Sequence, residues 1–274
     1  MEALVKEFTS PMLFDLIRNL SKQVIDWWRH KVGLKLQPLL TTIRLGGLAL
    51  AAIALWLFTY IAEEVFEHET QAFDANVLLS IRGLQRSWLD PIVMFTTNIG
   101  DPRVLLVVCV VLSVILVLRH YRAEAMTIAI AGFGALGLNF VLKNLFARTR
   151  PELWSRIVDV TNYSFPSGHA MLSMVIYGLL GYLLATRFHR WRGAIATIST
   201  LLILLIGFSR LYLGVHWLTD VMAGYAAGLV WLVTCIFSLE IWRQRHDLTS
   251  VRQKRLAMVV NPGELPKSPK IGEL

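Results

Sequence analysis

The sequence predicts an all-α, polytopic membrane protein of six transmembrane helices with an amphipathic N-terminal helix, and three observations carry that expectation. Of the 274 residues, 55% are hydrophobic and only 17% charged, far from the balance of a soluble domain. Apolar segments recur at lengths near the roughly 20 residues that a helix needs to cross a hydrocarbon core about 30 Å thick. Basic residues also gather in alternate loops, as they do in chains that thread a membrane repeatedly. Helices are the economical way to cross, because each backbone N–H and C=O then finds its partner within the segment.

Taken in order, residues 1–44 form a cytoplasmic amphipathic segment. Within it, residues 10–31 place Leu13, Ile17, Leu20, Val24 and Trp27 or Trp28 on one stripe, with Arg18, Lys22, Asp26 and Arg29 elsewhere. Ser10 and Pro11 open that helix. It either lies flat on the membrane surface or packs on the bundle or on another copy. Six apolar spans follow at 45–62, 104–118, 123–142, 170–186, 193–208 and 218–242, together making one membrane domain over 45–242. Small residues in 131–137 and the Gly224-x-x-x-Gly228 pair let helices approach closely. Residues 243–274 are expected to be a cytoplasmic, disordered tail, rich in Pro, Gly and Lys at its end. Cys109 and Cys235 lie inside spans and read as small hydrophobes.

Orientation follows from charge. Residues 1–44 carry seven Lys or Arg, and the turns at 119–122 and 187–192 and the tail after 242 are also basic. The segment 63–102 instead holds seven acids against Arg82 and Arg86. Both termini are therefore expected in the cytoplasm. The formal net charge of +8 is mostly this topological signal and gives no reason to expect a nucleic-acid partner. The first apolar run begins near residue 45, so no cleavable secretory signal is visible.

With that threading, the chemically informative residues meet on the outer face. Lys143 closes the third span and Arg150 follows it; Pro166, Ser167, Gly168 and His169 open the fourth; Ser209 and Arg210 close the fifth; His216 and Asp220 open the sixth. The loop after the third span breaks the positive-inside pattern with Lys143, Arg148, Arg150 and Arg156 against Glu152 and Asp159. An anionic group bound at the membrane surface gives such cations a purpose, since arginine forks suit phosphate oxygens. Ser167 can cap the fourth helix, and Gly168 lets backbone N–H groups approach an anion at its positive end. His216 and Asp220, four apart, share a helix face, so the carboxylate can bond one ring nitrogen and leave the other as nucleophile or base. Asp90, Asn98 and Asp101 read as structural residues of the outer loop, and Arg148 as a residue that touches a headgroup or faces water.

The segments KNLFARTRP (143–151), PSGH (166–169) and SRLYLGVHWLTD (209–220) resemble the three signature blocks of the phosphatidic acid phosphatase type 2 family, the lipid phosphate phosphatases. No signature position departs from the pattern. The resemblance implies that His216 attacks phosphorus, that Asp220 orients it, and that His169 is the general acid and then the base. It further implies that Lys143, Arg150, Arg210, Ser167 and the N–H of Gly168 hold the phosphoryl oxygens. Pro166 and Ser209 support the site. Three fixed cations then do what Mg²⁺ does elsewhere, so no metal or cofactor is expected. The substrate is a lipid phosphate or diphosphate: phosphatidate, phosphatidylglycerophosphate or a prenyl diphosphate. A phosphotransferase using the same site, or a lipid-binding protein without catalysis, are the alternatives. The expected location is a bacterial inner membrane, with the site on its periplasmic side.

Overall fold

The computed structural model describes residues 42–154 and 162–260. The amphipathic helix expected at 10–31, the loop residues Arg156 and Asp159, and the tail residues 261–274 lie outside the described residues. The chain divides into two units, 1–50 and 51–274. Of the first, only the opening turns of α1 are described; the rest of the description concerns the second.

Helices are numbered in chain order: α1 (Thr42–Phe66), α2 (Gln71–Arg82), α3 (Asp90–Ile99), α4 (Pro102–Leu118), α5 (Arg122–Phe146), α6 (Gly168–Arg187), α7 (Arg192–Tyr212) and α8 (Leu218–Val260). Stretches of α1, α5, α6, α7 and α8 are long and apolar enough to cross a membrane. The chain is thus an all-helical, multi-pass membrane protein.

The second expected span differs from the other five. α4 has 17 residues, about 25 Å at 1.5 Å per residue, which is short of the core. α3 and α4 qualify only together, as a pair bent by 45°. The bend has identifiable causes. Gly100 ends α3, Asp101 is extended and accepts the Arg103 N–H at 2.8 Å, and Pro102 opens α4. A Cβ on Gly100 would come within 2.2 Å of the Ile206 side chain, so the break is also where α7 passes.

α8 differs from expectation at its far end. Charge stops the apolar run near Trp242, but the helix continues to Val260, so residues 243–260 of the expected disordered tail are helical. The polar residues that close the apolar run do not close the helix. From 243 to 260 there is no Gly or Pro, and the first breakers are Pro262 and Gly263.

α6 is the central helix of the core. Met171, Leu172, Val175, Ile176 and Leu179 are buried against Leu105 and Cys109 of α4, Ile128, Ala131 and Ala135 of α5, and Ala227, Leu232 and Cys235 of α8. Burying one such aliphatic side chain contributes on the order of 2 kcal/mol in water; in a bilayer, close packing carries the association instead. The expected small-residue seam is present. A Cβ at Gly224 would lie 2.7 Å from the Ser167 carbonyl, and one at Gly228 2.7 Å from that of Met171, so α8 crosses α6 in backbone contact right behind the PSGH segment. Both cysteines are free and buried.

Candidate active site

Three connecting segments at one end of the bundle build the site, the first two from the stretch between α5 and α6 and the third from that between α7 and α8. The first leaves α5. Its last turn holds Lys143, and Ala147 takes a left-handed conformation (φ 44) while its N–H returns to the Lys143 carbonyl. That reversal sends residues 148–151 back over the helix end. The second connection is 162–167, whose Phe165–Pro166 peptide is cis, and the third is 213–217. Gly214 sits at φ +68, with Trp154 where a Cβ would be, and turns the third connection so that His216 faces inward.

His216 is 2% exposed and Asp220 wholly buried. The His216 Nδ1 lies 3.2 Å from Asp220 Oδ2, which also accepts the Trp217 N–H at 2.9 Å. With Nδ1–H donating to the carboxylate, Nε2 carries the lone pair, and Arg150 Nη1 lies 3.2 Å from it. Burial, followed by the charges of Arg150, Lys143 and Arg210, holds the imidazole pKa well below 6.5. His216 is therefore neutral at physiological pH, the state a nitrogen nucleophile requires.

Carbonyl and hydroxyl oxygens hold each cation in part. Lys143 Nζ donates to the Tyr163 carbonyl and, at 3.4 Å, to that of Ser164. Arg150 donates to the carbonyls of Asn162 at 2.6 Å and Val215 at 2.7 Å. Arg210 is 4% exposed, and its Nη1 donates to Thr97 Oγ1 at 2.5 Å. Among the described residues its Nε has no partner, and neither has the Ser167 hydroxyl. Buried polar groups left without partners are uncommon and call for an explanation. Phosphate oxygens are suitable acceptors for both.

Ser167 occupies the N-cap of α6, but its side chain makes no cap bond, which corrects the capping expectation. Its N–H donates to the Asp220 carbonyl at 2.9 Å, tying the second and third connections together. Gly168 is buried under Asn139, whose Oδ1 would stand 3.0 Å from an added Cβ, and the Asn139 amide donates to the Pro166 carbonyl at 3.2 Å. The Ser209 hydroxyl donates to the Ile206 carbonyl within α7 at 2.5 Å.

A cavity of about 470 Å³ joins these parts. Lys143, Arg150, Gly168, His169, Arg210 and His216 line it, while Asp220 supports His216 from behind. Ser167 is buried beside Gly168 at the start of α6. Every site residue expected from the sequence is therefore at this end of the bundle. Three residues given lesser roles also belong here. Asp101 and Asn98 line the cavity, and Asp101 Oδ2 lies 3.8 Å from His169 Nε2. Arg148 does not face water: its side chain is 9% exposed and is paired with Asp74 and Asp220. Asp90 stays structural, accepting the Tyr212 hydroxyl at 2.8 Å. Asp74 and Thr97, on α2 and α3, had no motif to mark them. The one available hint was a run of acids facing an unusually basic loop.

Residues 124–243 match the PAP2 superfamily. The chain is 28% identical over 183 residues to phosphatidylglycerophosphatase B of Bacillus subtilis (strain 168), an alignment covering 65% of this chain and 89% of that one. It is 29% identical over 161 residues to an undecaprenyl-diphosphatase of Sulfolobus acidocaldarius, covering 57% and 73% respectively. Among solved structures it is similar to a transmembrane PAP2-type phosphatidylglycerolphosphate phosphatase from Bacillus subtilis, with a TM-score of 0.64 and 25% identity over 71% of this chain and 96% of that one.

Proposed function

We infer, from the chain's place in the PAP2 superfamily through residues 124–243, that this membrane lipid phosphatase works by a phosphohistidine formed on His216. The observation that carries the reading is the His216–Asp220 pair: a buried, neutral imidazole with Nδ1 held by a carboxylate and Nε2 open to a cavity lined by Lys143, Arg150 and Arg210.

The roles follow from position. The phosphate of a bilayer-held lipid enters the cavity. Lys143, Arg150, the orphaned Arg210 Nε, the Ser167 hydroxyl and the Gly168 N–H bind its oxygens, with most gain as charge shifts in the transition state. Arg150 gives up its contact with Nε2 for a phosphoryl oxygen. Nε2 attacks phosphorus, the bond from phosphorus to the leaving oxygen breaks, and His169 gives that oxygen a proton. Asp220 stabilises the positive charge that the ring gains. Water then attacks the phosphohistidine, His169 takes its proton, the N–P bond breaks, and inorganic phosphate leaves. With a diphosphate the leaving group is the lipid monophosphate.

The charge pattern of the loops supports a site on the outer face of a bacterial inner membrane, with both termini cytoplasmic. Phosphatidate, phosphatidylglycerophosphate and a prenyl diphosphate are the substrates to compare. Purified protein in excess EDTA is expected to release phosphate from at least one of them, and His216→Ala to release none while melting cooperatively. No release by the wild type, or equal release by the variant, would contradict the reading. Phosphate appearing on an added acceptor instead of in solution would make the protein a phosphotransferase.

A further inference from the structure

The strongest polar feature left unused by the mechanism lies behind the nucleophile. Asp220 Oδ2 serves His216 and the Trp217 N–H, but Oδ1 accepts Arg148 Nη1 at 2.7 Å. The same guanidinium extends Nη2 to Asp74 Oδ2 at 2.8 Å and to Thr70 Oγ1 at 3.0 Å. Asp74, on the first turn of α2, is wholly buried and also accepts the Thr219 N–H at 3.0 Å and the Thr219 hydroxyl at 2.6 Å. Thr219 directly precedes Asp220. The start of α8 is therefore gripped from α2 both through its own backbone and through Arg148.

We propose that Arg148 and Asp74 are positioning residues for the nucleophile, forming with Asp220 a buried chain that fixes the charge and orientation of the carboxylate on His216. The proposal rests on the phosphohistidine reading above.

The charge count gives the chain its function. Two carboxylates share one guanidinium, so the trio carries one net negative charge. His216 gains a positive charge when it attacks phosphorus, and the trio is then neutralised. Only a fork can do this job. Nη1 and Nη2 reach different carboxylates at the same time, whereas a lysine ammonium is a single point. Arg148 also has a separable structural role, since its carbonyl accepts the Ser164 N–H at 2.9 Å. Any side chain at 148 keeps that bond.

The charged groups facing Asp220 are Arg148 and Lys143 from α5 and its following loop, His216 from the third connection, and Asp74 from α2 by way of Arg148 and Thr219; Arg150 faces His216 from the other side. If Arg148 is removed, two buried carboxylates lose their shared cation, and Asp220 takes up a proton more readily. A protonated Asp220 no longer holds Nδ1–H, so the nucleophile loses its tautomer. If the Asp74 charge is removed instead, Arg148 serves Asp220 alone.

The test uses the full chain, purified in detergent, with the lipid that the wild type hydrolyses best. Arg148→Ala is expected to lower kcat about tenfold to a hundredfold with KM within about twofold, as for a misplaced catalytic group, and to move the acid limb of the kcat profile up by about one to three pH units. Arg148→Lys keeps a charge but not the fork, so it restores the limb more than it restores kcat. Asp74→Asn moves the limb in the opposite direction, to lower pH. Should Arg148→Ala fail to fold, Arg148→Lys and Asp74→Asn carry the test. Wild-type kcat in Arg148→Lys together with a wild-type pH profile in Asp74→Asn would overturn the proposal, even if both proteins melt at lower temperature, because that is what a purely structural clamp predicts. No phosphate release by the wild type would overturn the phosphatase reading and the relay with it; an active wild type beside unaltered variants would overturn the relay alone.

Discussion

α5, α6 and α8 meet in a polar cluster at each end, and the two clusters solve the problem of charge in opposite ways. At the end remote from the cavity, Arg243 donates to Glu124 at 2.6 Å and to Glu240 at 3.2 Å, and the Tyr182 hydroxyl donates to Glu240 at 2.7 Å. The cation there is matched by carboxylates and remains partly exposed. At the cavity end, Lys143 and Arg210 are held by carbonyls and a threonine hydroxyl, and the nearby carboxylate of Asp220 is already taken by Arg148 and His216. Orphaned donors occur there as well, at Ser167 and Arg210. A cluster that satisfies itself is a structural clamp, whereas one that leaves buried positive charge and donors in want of an acceptor is built for an anion.

That contrast can be broken by substitution. The largest effect is expected at Arg210, whose removal takes a buried donor from the phosphoryl oxygens. Arg210→Ala should lower kcat/KM about a hundredfold to a thousandfold, the usual cost of losing one preorganised transition-state donor. A loss of less than about threefold would remove Arg210 from the cradle.

A second effect, in pH, sharpens the electrostatic side of the comparison. Burial and three cations hold His216 well below its ordinary value, so the neutral nucleophile survives as pH falls through about 6.5. The acid limb of kcat/KM that belongs to the enzyme is therefore expected below that pH. A limb at the ordinary histidine value would mean that the cations do not act on His216.

The smallest effect is expected at the opposite cluster. Arg243→Ala breaks partly exposed ion pairs, which contribute at most about 1 kcal/mol. It should lower the melting temperature slightly and leave kcat/KM within about twofold; a tenfold loss of activity would show that the two ends are coupled.

Much of this was legible in the sequence because the signals are local or topological. Apolar length marked the spans, and sidedness brought Lys143, Arg150, His169, Arg210, His216 and Asp220 to one end. What stayed hidden depends on pairing over long separations. Nothing in the pattern joins Arg148 to Asp74, which is 74 residues away, or Arg210 to Thr97, 113 residues away. α2 and α3 are short, and each buries one polar residue beside one apolar one, Asp74 with Leu78 and Thr97 with Val93, so hydropathy passed over the helices that complete the site. The α3–α4 bend was masked because Val104 begins an apolar run that looks like a whole span. The length of α8 was missed because the end of hydrophobicity was taken for the end of the helix. Ser167 shows the reverse case: serine before a helix normally caps, and its failure to do so here is what marks it for a ligand.

The central claim is that phosphorus passes through a bond to His216 before reaching water, which makes the reaction two displacements in sequence. The direct test is the stereochemical course with a lipid phosphorothioate made chiral at phosphorus by oxygen isotopes and hydrolysed in isotopically labelled water. Each in-line displacement inverts phosphorus, so the phosphohistidine route predicts overall retention of configuration in the released thiophosphate; overall inversion would mean that water attacks the lipid directly, and would contradict the account.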